Sequence, residues 1–302
     1  MHEDLVRAII RQLGPSFISL REIIGQGEVN HVFVAETSEG PWVVRFHRDP
    51  LDTDDYAKEE WCLTTLAGLG VPVPGFAARG SCEGTAFIVQ MFVPGANADG
   101  HRPPELWRTL GRYARIINEV TLDDLAPDAL FPRFGRDLVA NWRQHIAYNL
   151  EQLTSGDPLI ALGAYSLADQ ASLRSVFEGL GARVTSFGLT HGDLVPKNVL
   201  LPPAGPPVVI DWGSAGAGPA PYSDFIRIWA DEANEAFTAA DLNAFAEGYG
   251  VRLDDLLETM QDLWLLNRID VVRWAIDHRP DLIDSYSAKA QSAVQSRLAG
   301  GG

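Results

Sequence analysis

The sequence predicts an α+β fold in which a small β-sheet lobe precedes a larger, mainly helical lobe. Up to residue 93, short apolar segments alternate with glycine-rich turns, as antiparallel strands do. Beyond residue 95, apolar residues recur at helical spacing over long stretches. The chain of 302 residues is long enough for two such parts, because single cores stop growing near this length. We therefore place the lobes at residues 1–94 and 95–302.

The N-terminal lobe is predicted to be an antiparallel sheet with one inserted helix. A first helix over residues 3–13 ends at the Gly-Pro pair that follows it. A second helix, over residues 54–70, has an acidic start and a glycine stop. The predicted strands cover residues 17–24, 29–37, 41–46, 71–80 and 85–95.

The C-terminal lobe is predicted to be helical except around one short group of strands. The amphipathic patterns cover residues 104–119, 137–152, 166–180, 221–234, 239–249 and 253–277. Short strands are predicted at residues 186–190, 198–201 and 208–212. Residues 202–207, PPAGPP, form the turn of a hairpin between the last two strands, because proline cannot donate a hydrogen bond to a strand pair.

The composition limits the classes of partner. The net charge is −16 with only 24 Lys and Arg, which argues against nucleic acid as a partner. An acidic surface attracts cations, although acidity also serves solubility alone. Two cysteines are too few for a disulfide framework, the N-terminus is acidic, and no apolar run reaches membrane length. These features predict a cytoplasmic protein without a membrane span and leave the oligomeric state open.

Two aspartates and an asparagine stand out in the strand-rich part of the helical lobe. Asp193 lies in an irregular loop, Asn198 begins the next strand, and Asp211 follows the apolar run VVI. One carboxylate and one amide oxygen suit Mg²⁺, which keeps waters and shares phosphate oxygens. A carboxylate outside the metal shell can accept a proton from a hydroxyl. This combination is what phosphoryl transfer by kinases uses.

The segments HGDLVPKN (residues 191–198) and IDW (residues 210–212) resemble the catalytic core of the aminoglycoside phosphotransferase family. These enzymes are relatives of the protein kinases, so the resemblance implies a bilobal protein-kinase-like fold. It implies that Asp193 is the catalytic base and that Asn198 and Asp211 bind Mg²⁺. His191 would brace the loop rather than take part in the chemistry.

The resemblance extends to the N-terminal lobe and implies an ATP site. A turn with Gly25 and Gly27, followed by Asn30, would cover the phosphates with its backbone amides. Arg45 takes the place of the lysine that binds the α- and β-phosphates, and Glu59, rather than Glu60, is its expected ion-pair partner.

The hinge between the lobes is expected to receive the purine. By resemblance its backbone would line the nucleotide pocket, and its side chains do not distinguish ATP from GTP. The residues concerned are Gln90, Met91, Phe92 and Val93.

Two further residues are expected to support the site. Asp224 matches a family aspartate, and we expect it to be structural, as the cap of the helix that it begins. Lys197 stands beside Asn198 and could either offset charge on the transferring phosphoryl group or point to water.

The acceptor is expected to be a small molecule with a hydroxyl group, bound over the C-terminal helices. Trp229, Glu232 and Glu235 are the predicted contacts, and Asp262 and Asp270 lie near Trp264 on the last predicted helix; such acids would suit a cationic sugar. Three functions stay open: an O-phosphotransferase for an aminoglycoside-like or other antibiotic, a metabolic kinase for choline, an amino alcohol or a sugar, and a nucleotide-binding regulator without turnover.

Overall fold

The computed structural model describes residues 2–23, 30–47, 55–100, 102–232 and 237–299, without the side chains of residues 55, 231 and 232. After helix α1 (His2–Leu13) comes a five-stranded antiparallel sheet with strand order β1-β2-β3-β5-β4. Its strands are β1 (Phe17–Glu22), β2 (Asn30–Thr37), β3 (Gly40–His47), β4 (Phe76–Cys82) and β5 (Thr85–Met91). Helix α2 (Asp55–Leu66) connects β3 to β4, as the sequence predicts.

Strand β3 shows how this sheet presents different residues to its two faces. Successive side chains of a strand point to opposite faces. Val44 and Phe46 are buried in one cluster with Val6 and Ile9 of α1. Arg45, between them, bonds to Glu59 of α2 instead. The alternation therefore closes one face with α1 and presents a cation on the face where α2 lies.

The rest of the described chain is mainly helical, with two small sheets that carry the candidate site. The helices are α3 (Pro104–Asn118), α4 (Leu138–Gln152), α5 (Pro158–Ala161), α6 (Gln170–Arg183), α7 (Tyr222–Glu232), α8 (Ala239–Tyr249), α9 (Asp254–His278) and α10 (Ile283–Ala299). One sheet pairs β7 (Phe187–Thr190) with β10 (Gly216–Pro219). The other has the order β6 (Ala96–Asn97), β8 (Val199–Leu201) and β9 (Val208–Val209).

Helices α3 and α8 cross so closely that each needs a glycine at the crossing. A Cβ atom on Gly111 would lie 2.0 Å from the carbonyl oxygen of Phe245, and one on Gly248 would lie 2.0 Å from that of Arg108. Both distances are far below van der Waals contact, so neither position accepts a larger residue without separation of the helices. This crossing lies in the large core cluster that also holds Trp107 and Phe225.

The α+β fold class is confirmed, and the differences from prediction are the segment ends, the short elements β6, α5 and β10, and the C-terminal helix α10. The hairpin turn at 202–207 joins the antiparallel pair β8 and β9. Helix α10 was not predicted, because the residues that it buries, Ser287, Ala290 and Val294, give a weak apolar pattern in a sequence rich in Ser, Gln and charged residues. Within the described residues, no helix is both long and apolar enough to cross a bilayer. The boundary at residues 94 and 95 stays a prediction.

Candidate active site

The loop between β7 and β8 is organised by a buried, neutral histidine. Nε2 of His191 lies 3.1 Å from the carbonyl oxygen of Ile210, to which it donates, and Nδ1 accepts from the amide of Asp193 at 3.2 Å. Burial lowers the pKa of His191, which keeps the ring neutral and able to both donate and accept. Its ring also packs 4.5 Å from that of Trp212. His191 thereby ties the loop to the strand end that carries Asp211.

Gly192 allows this loop to pass against the neighbouring chain. Its φ of +78° lies in the left-handed region, and an added Cβ atom would come within 2.3 Å of the carbonyl oxygen of Ser214. The amide of Gly192 donates to Oδ1 of Asp224 at 2.9 Å. Burial raises the pKa of Asp224 to about 6, against the opposing effect of the amides of Gly192 and His191.

Asp193 lies between two cations. Its Oδ1 accepts from Nε of Arg227 at 2.7 Å, and its Oδ2 lies 2.8 Å from Nζ of Lys197. The side-chain amide of Asn198 also donates to Oδ2, at 2.9 Å. Burial opposes ionisation of Asp193, but Lys197 and Arg227 outweigh burial and hold the pKa of this carboxyl below its usual value. The carboxylate is therefore ionised and fixed in orientation.

Asn198 and Asp211 are brought together by the β8–β9 hairpin. The amide of Ile210 donates to the carbonyl oxygen of Asn198 at 2.9 Å, which places Asp211, the next residue, beside Asn198. The side-chain nitrogen of Asn198 is used by the backbone and side chain of Asp193, so its amide oxygen is left for a cation. Asp211 has a φ of +64°, a region that few residues other than glycine adopt, and its side chain is 53% exposed. One amide and one accessible carboxylate oxygen fit a magnesium ion that shares phosphate ligands.

Arg45 joins the sheet of the N-terminal lobe to this hairpin. Its Nη1 donates to Oε1 of Glu59 at 2.6 Å and its Nη2 donates to Oδ1 of Asp211 at 3.3 Å. Glu59 is buried and also accepts from the side chain of Gln90 at 2.8 Å. Burial lowers the pKa of Arg45, but Glu59 and Asp211 outweigh this and raise it overall. The ion pair expected between Arg45 and Glu59 is thus present, while Glu60 pairs with Arg79.

The structure describes some of the other residues assigned to nucleotide binding, and several of these already have hydrogen-bond partners. The backbone amides of Met91 and Phe92 donate to Gly75 and Pro41, so they are not available to a purine, and the side chain of Gln90 is used by Glu59. Asn30 begins β2 and accepts from the hydroxyl of Tyr56 at 2.9 Å. Val93 is half-buried, and Gly25 and Gly27 lie outside the described residues. A nucleotide role for these residues stays a prediction.

A cavity of about 1,250 Å³ opens beside the catalytic loop. Gly192 and Arg227 line it on the side of Asp193, and Trp229 and Trp264 line it farther along, where their rings meet edge to face with centroids 6.1 Å apart. The volume exceeds that of most small-molecule sites, about 300–1,000 Å³. A large acceptor therefore fits beside Asp193.

The structure describes only some of the residues considered for acceptor binding. Trp229 lines the cavity, whereas Glu232 ends α7 without a described side chain and Glu235 lies outside the described residues. Asp262 is wrong as a contact, because it is 1% exposed and held by Arg183 and Arg297.

Asp270 does line the cavity, but its carboxylate is already engaged. It lies 2.8 Å from His145 Nε2 and accepts from the side chain of Asn149 at 3.0 Å. Its contact with an acceptor would therefore have to compete with these two partners.

One supporting residue differs from expectation, one had been left open, and a third was not predicted. Asp224 braces the catalytic loop through Gly192, although we expected it to cap its own helix. Lys197 pairs with Asp193 rather than pointing only to water. Arg227 was not predicted, although its position three residues after Asp224 places both on one side of α7. That spacing was the available signal.

Comparison with known sequences agrees with this geometry. The profile of the phosphotransferase enzyme family, APH, matches residues 21–263. An aminoglycoside 3'-phosphotransferase of Streptomyces fradiae is 30% identical over 168 residues, which are 54% of this chain and 59% of the relative's length. The matched part thus spans less than two thirds of that relative.

Solved structures share the fold at low sequence identity. A macrolide 2'-phosphotransferase from Brachybacterium faecium superposes with a TM-score of 0.63 at 20% identity, covering 97% of this chain and 98% of the other. A choline kinase from Streptococcus pneumoniae superposes with a TM-score of 0.60 at 17% identity, covering 99% of both chains. Because the family profile spans most of the sequence, the chain belongs to the phosphotransferase enzyme family.

Proposed function

We propose that this protein is a Mg²⁺- and ATP-dependent O-phosphotransferase. It would move the γ-phosphoryl group to a hydroxyl of a bulky organic compound, such as an antibiotic. The observation that carries the proposal is the position of Asp193. This ionised carboxylate is held beside the pair Asn198 and Asp211 on one side and beside the cavity on the other. Family membership supports phosphoryl transfer as the reaction class.

Oδ1 of Asp193 is the oxygen that would receive the hydroxyl proton. Oδ2 already faces both Lys197 and Asn198, whereas Oδ1 accepts from Arg227 and keeps a lone pair. Arg227 lines the cavity, so Oδ1 is on the side from which an acceptor approaches. The lowered pKa makes Asp193 a weak base, which is adequate where positioning supplies most of the catalysis.

Arg45, Asn198 and Asp211 would hold the nucleotide and its metal. Arg45 has a fork of donors that can bind phosphate oxygens, and Glu59 fixes its orientation. Asn198 and Asp211 offer the oxygens for Mg²⁺. When bound, Mg²⁺ would neutralise charge on the transferring phosphates. GTP remains possible as the donor, because the hinge side chains make no choice between purines.

A metabolic kinase for choline, an amino alcohol or a sugar is the second candidate, favoured by the likeness in fold to a choline kinase. The described lining of the cavity bears on this choice. It carries one carboxylate, Asp270, which is already bound to His145 and Asn149. The lining therefore favours a neutral or anionic acceptor over a polycation or choline.

The test is ADP release with Mg²⁺ and ATP across antibiotics, amino sugars and choline analogues. With the best acceptor, Asp193→Asn is expected to lower kcat by about 10²–10⁴-fold, the usual contribution of a general base. Asp281→Asn is the matched control, because this exposed aspartate pairs with Arg279 outside the cavity lining, and it should keep full activity.

Two outcomes would contradict the proposal. Full turnover by Asp193→Asn would remove Asp193 from the role of base. Binding of Mg²⁺ and ATP without ADP release under any acceptor would favour a nucleotide-binding regulator.

A further inference from the structure

The charges that line the cavity are mostly positive. Among the described residues, the lining cations are Arg227, Arg268, Lys289 and Arg297, and the lining carboxylate is Asp270. This balance is unexpected in a chain whose net charge is −16. The described lining therefore differs in charge from the protein as a whole.

Part of the positive charge is neutralised by carboxylates at the margin of the cavity. Arg227 is bound by Asp193 at 2.7 Å, and Arg297 by the buried Asp262 at 2.5 Å. These arginines have roles in holding other residues.

Arg268 and Lys289 are not neutralised in this way. In the part of the chain that the structure describes, neither of them has a carboxylate partner.

Arg268 is fixed in position by an aromatic ring. Its guanidinium carbon lies 3.6 Å from the centroid of the Trp264 ring, one helical turn earlier on α9. Its Nε atom is buried without a hydrogen-bond partner, and burial lowers the pKa of the group. Lys289 of α10 is exposed and lies 5.8 Å from the ring of Tyr286. The α9–α10 end of the cavity therefore has a half-buried cation and an exposed one.

A half-buried guanidinium without acceptors is costly unless a ligand supplies them. An unsatisfied buried donor destabilises the folded protein, and more so when it is charged. Stacking on a ring occupies the face of the guanidinium and leaves its edge free, and that edge matches the two oxygens of a carboxylate.

The remaining walls indicate what the rest of the ligand is. Aromatic and aliphatic side chains also line the cavity: Leu138, Trp142, Phe187, Ile226, Trp229 and Leu263. Such walls bind apolar surface, because its removal from water is favourable at about 25 cal/mol per Å².

We propose that Arg268, assisted by Lys289, binds a carboxylate of the acceptor, and that the acceptor is a large, apolar hydroxy acid. The hydroxyl of this acceptor is taken from the proposed phosphoryl transfer, so this assignment of substrate class rests on the proposed function. Its hydroxyl lies at Asp193 and its carboxylate at the α9–α10 end, with its apolar body against Trp229 and Trp264.

The test measures binding without nucleotide, by isothermal titration calorimetry. The probes are cholate, an apolar tetracyclic compound with hydroxyls and one carboxylate, its neutral primary amide, and spermine as a polycation. Wild type is expected to bind cholate at least about tenfold more tightly than the amide, since hydrogen bonds to charged groups contribute about 1.5–3 kcal/mol.

Arg268→Gln should abolish the preference for cholate over the amide and leave binding of the amide unchanged. Lys289→Gln should reduce the preference by a smaller factor, because this lysine is exposed and its removal leaves the core intact. The matched control is Arg252→Gln, an exposed arginine outside the lining, which should bind all three probes as wild type does.

Failure of wild type to bind cholate more tightly than the amide overturns the inference, as does tighter binding of spermine. An unchanged preference in both Arg268→Gln and Lys289→Gln also overturns it, and thermal unfolding followed by circular dichroism shows whether Arg268→Gln is folded. The preference for cholate without ADP release under any acceptor would refute the proposed function and leave the carboxylate site standing. ADP release with cationic acceptors, if Arg268→Gln leaves it unchanged, would support the proposed function and overturn the carboxylate site.

Discussion

Asp193 and Asp262 show how similar ion pairs can serve different ends. Asp193 lies between Lys197 and Arg227, and Asp262 lies between two arginines. The side chain of Asp193 is 17% exposed and lies beside the cavity, whereas that of Asp262 is 1% exposed. Both carboxylates bind two cations, so the difference between them is their accessibility. A second molecule can approach Asp193, the candidate base, whereas Asp262 is a structural carboxylate.

Substitution of Asp262 tests this comparison and is expected to give the largest effect, a loss of stability. Asp262→Asn leaves Arg183 and Arg297 without their main carboxylate, and removal of one partner from a buried pair typically costs about 3–5 kcal/mol. Because both arginines are partly exposed, we expect the free energy of unfolding to fall by about 3 kcal/mol, at the lower end of that range. Urea denaturation measures this.

The control for that variant is Glu258→Gln. Glu258 faces both arginines at 3.5–3.7 Å but is 67% exposed, so its loss should cost less than about 1 kcal/mol. Equal, small losses in the two variants would show that burial does not separate these carboxylates.

An intermediate effect is expected at Arg227, and it concerns activity. Arg227→Gln frees Oδ1 of Asp193, and misplacement of a catalytic group by about 1 Å can cost about 100-fold in rate, so we expect kcat to fall about 10- to 100-fold. Arg227 also helps to hold the pKa of Asp193 down. Asp193 accepts a proton only when ionised, so its acid limb in the profile of kcat against pH should move to higher pH in the variant.

Lys197→Gln is the comparison for Arg227→Gln, because Lys197 is 51% exposed and its pairing with Asp193 is screened by water. The acid limb of the profile of kcat against pH should move less in Lys197→Gln than in Arg227→Gln. A profile that stays in place in Arg227→Gln would mean that Arg227 does not act through Asp193.

A pH dependence of stability is expected at Asp224, which accepts from the backbone amide of Gly192. Its pKa is raised from 3.8 to about 6 in the folded protein, so the folded state keeps this proton more tightly than the unfolded chain. The resulting stability is fully present below pH 3.8 and is lost as pH rises through about 6. Between these values, this group lowers the free energy of unfolding by at most about 1.4 kcal/mol per pH unit.

Asp224→Asn cannot titrate, so its free energy of unfolding should fall less steeply over that pH window than that of wild type. Denaturant unfolding at several pH values measures the two slopes. Parallel slopes would indicate that Asp224 titrates at its ordinary pKa.

Much of the fold followed from periodicity alone. Strands β2 and β3 are short apolar segments separated by a turn that contains Gly40. The helix α2 starts with acids and stops at glycine, and the prolines at residues 202–207 mark a turn. Helix α10 did not follow, because the residues that it buries give a weak apolar pattern that resembles that of an exposed, polar segment. Its place in the fold depends on packing against α9.

The grouping of Asp193, Asn198 and Asp211 could also be predicted, since they stand in a short motif with a fixed spacing. The surroundings of the acidic residues on the acceptor side could not be predicted. Asp262 and Asp270 look alike on one amphipathic helix, yet one is buried between arginines and the other lines the cavity. Helical spacing does not reveal what covers each face.

The sequence by itself determined the α+β class and the family, because local periodicity and a short motif of close residues carry that information. Only the tertiary structure decided the surroundings of these groups: that Arg227 holds Asp193, that Asp224 braces Gly192, and that a cavity lined by cations lies beside them. Those contacts join residues far apart in the chain. Their burial and charge balance arise only when the helices pack together.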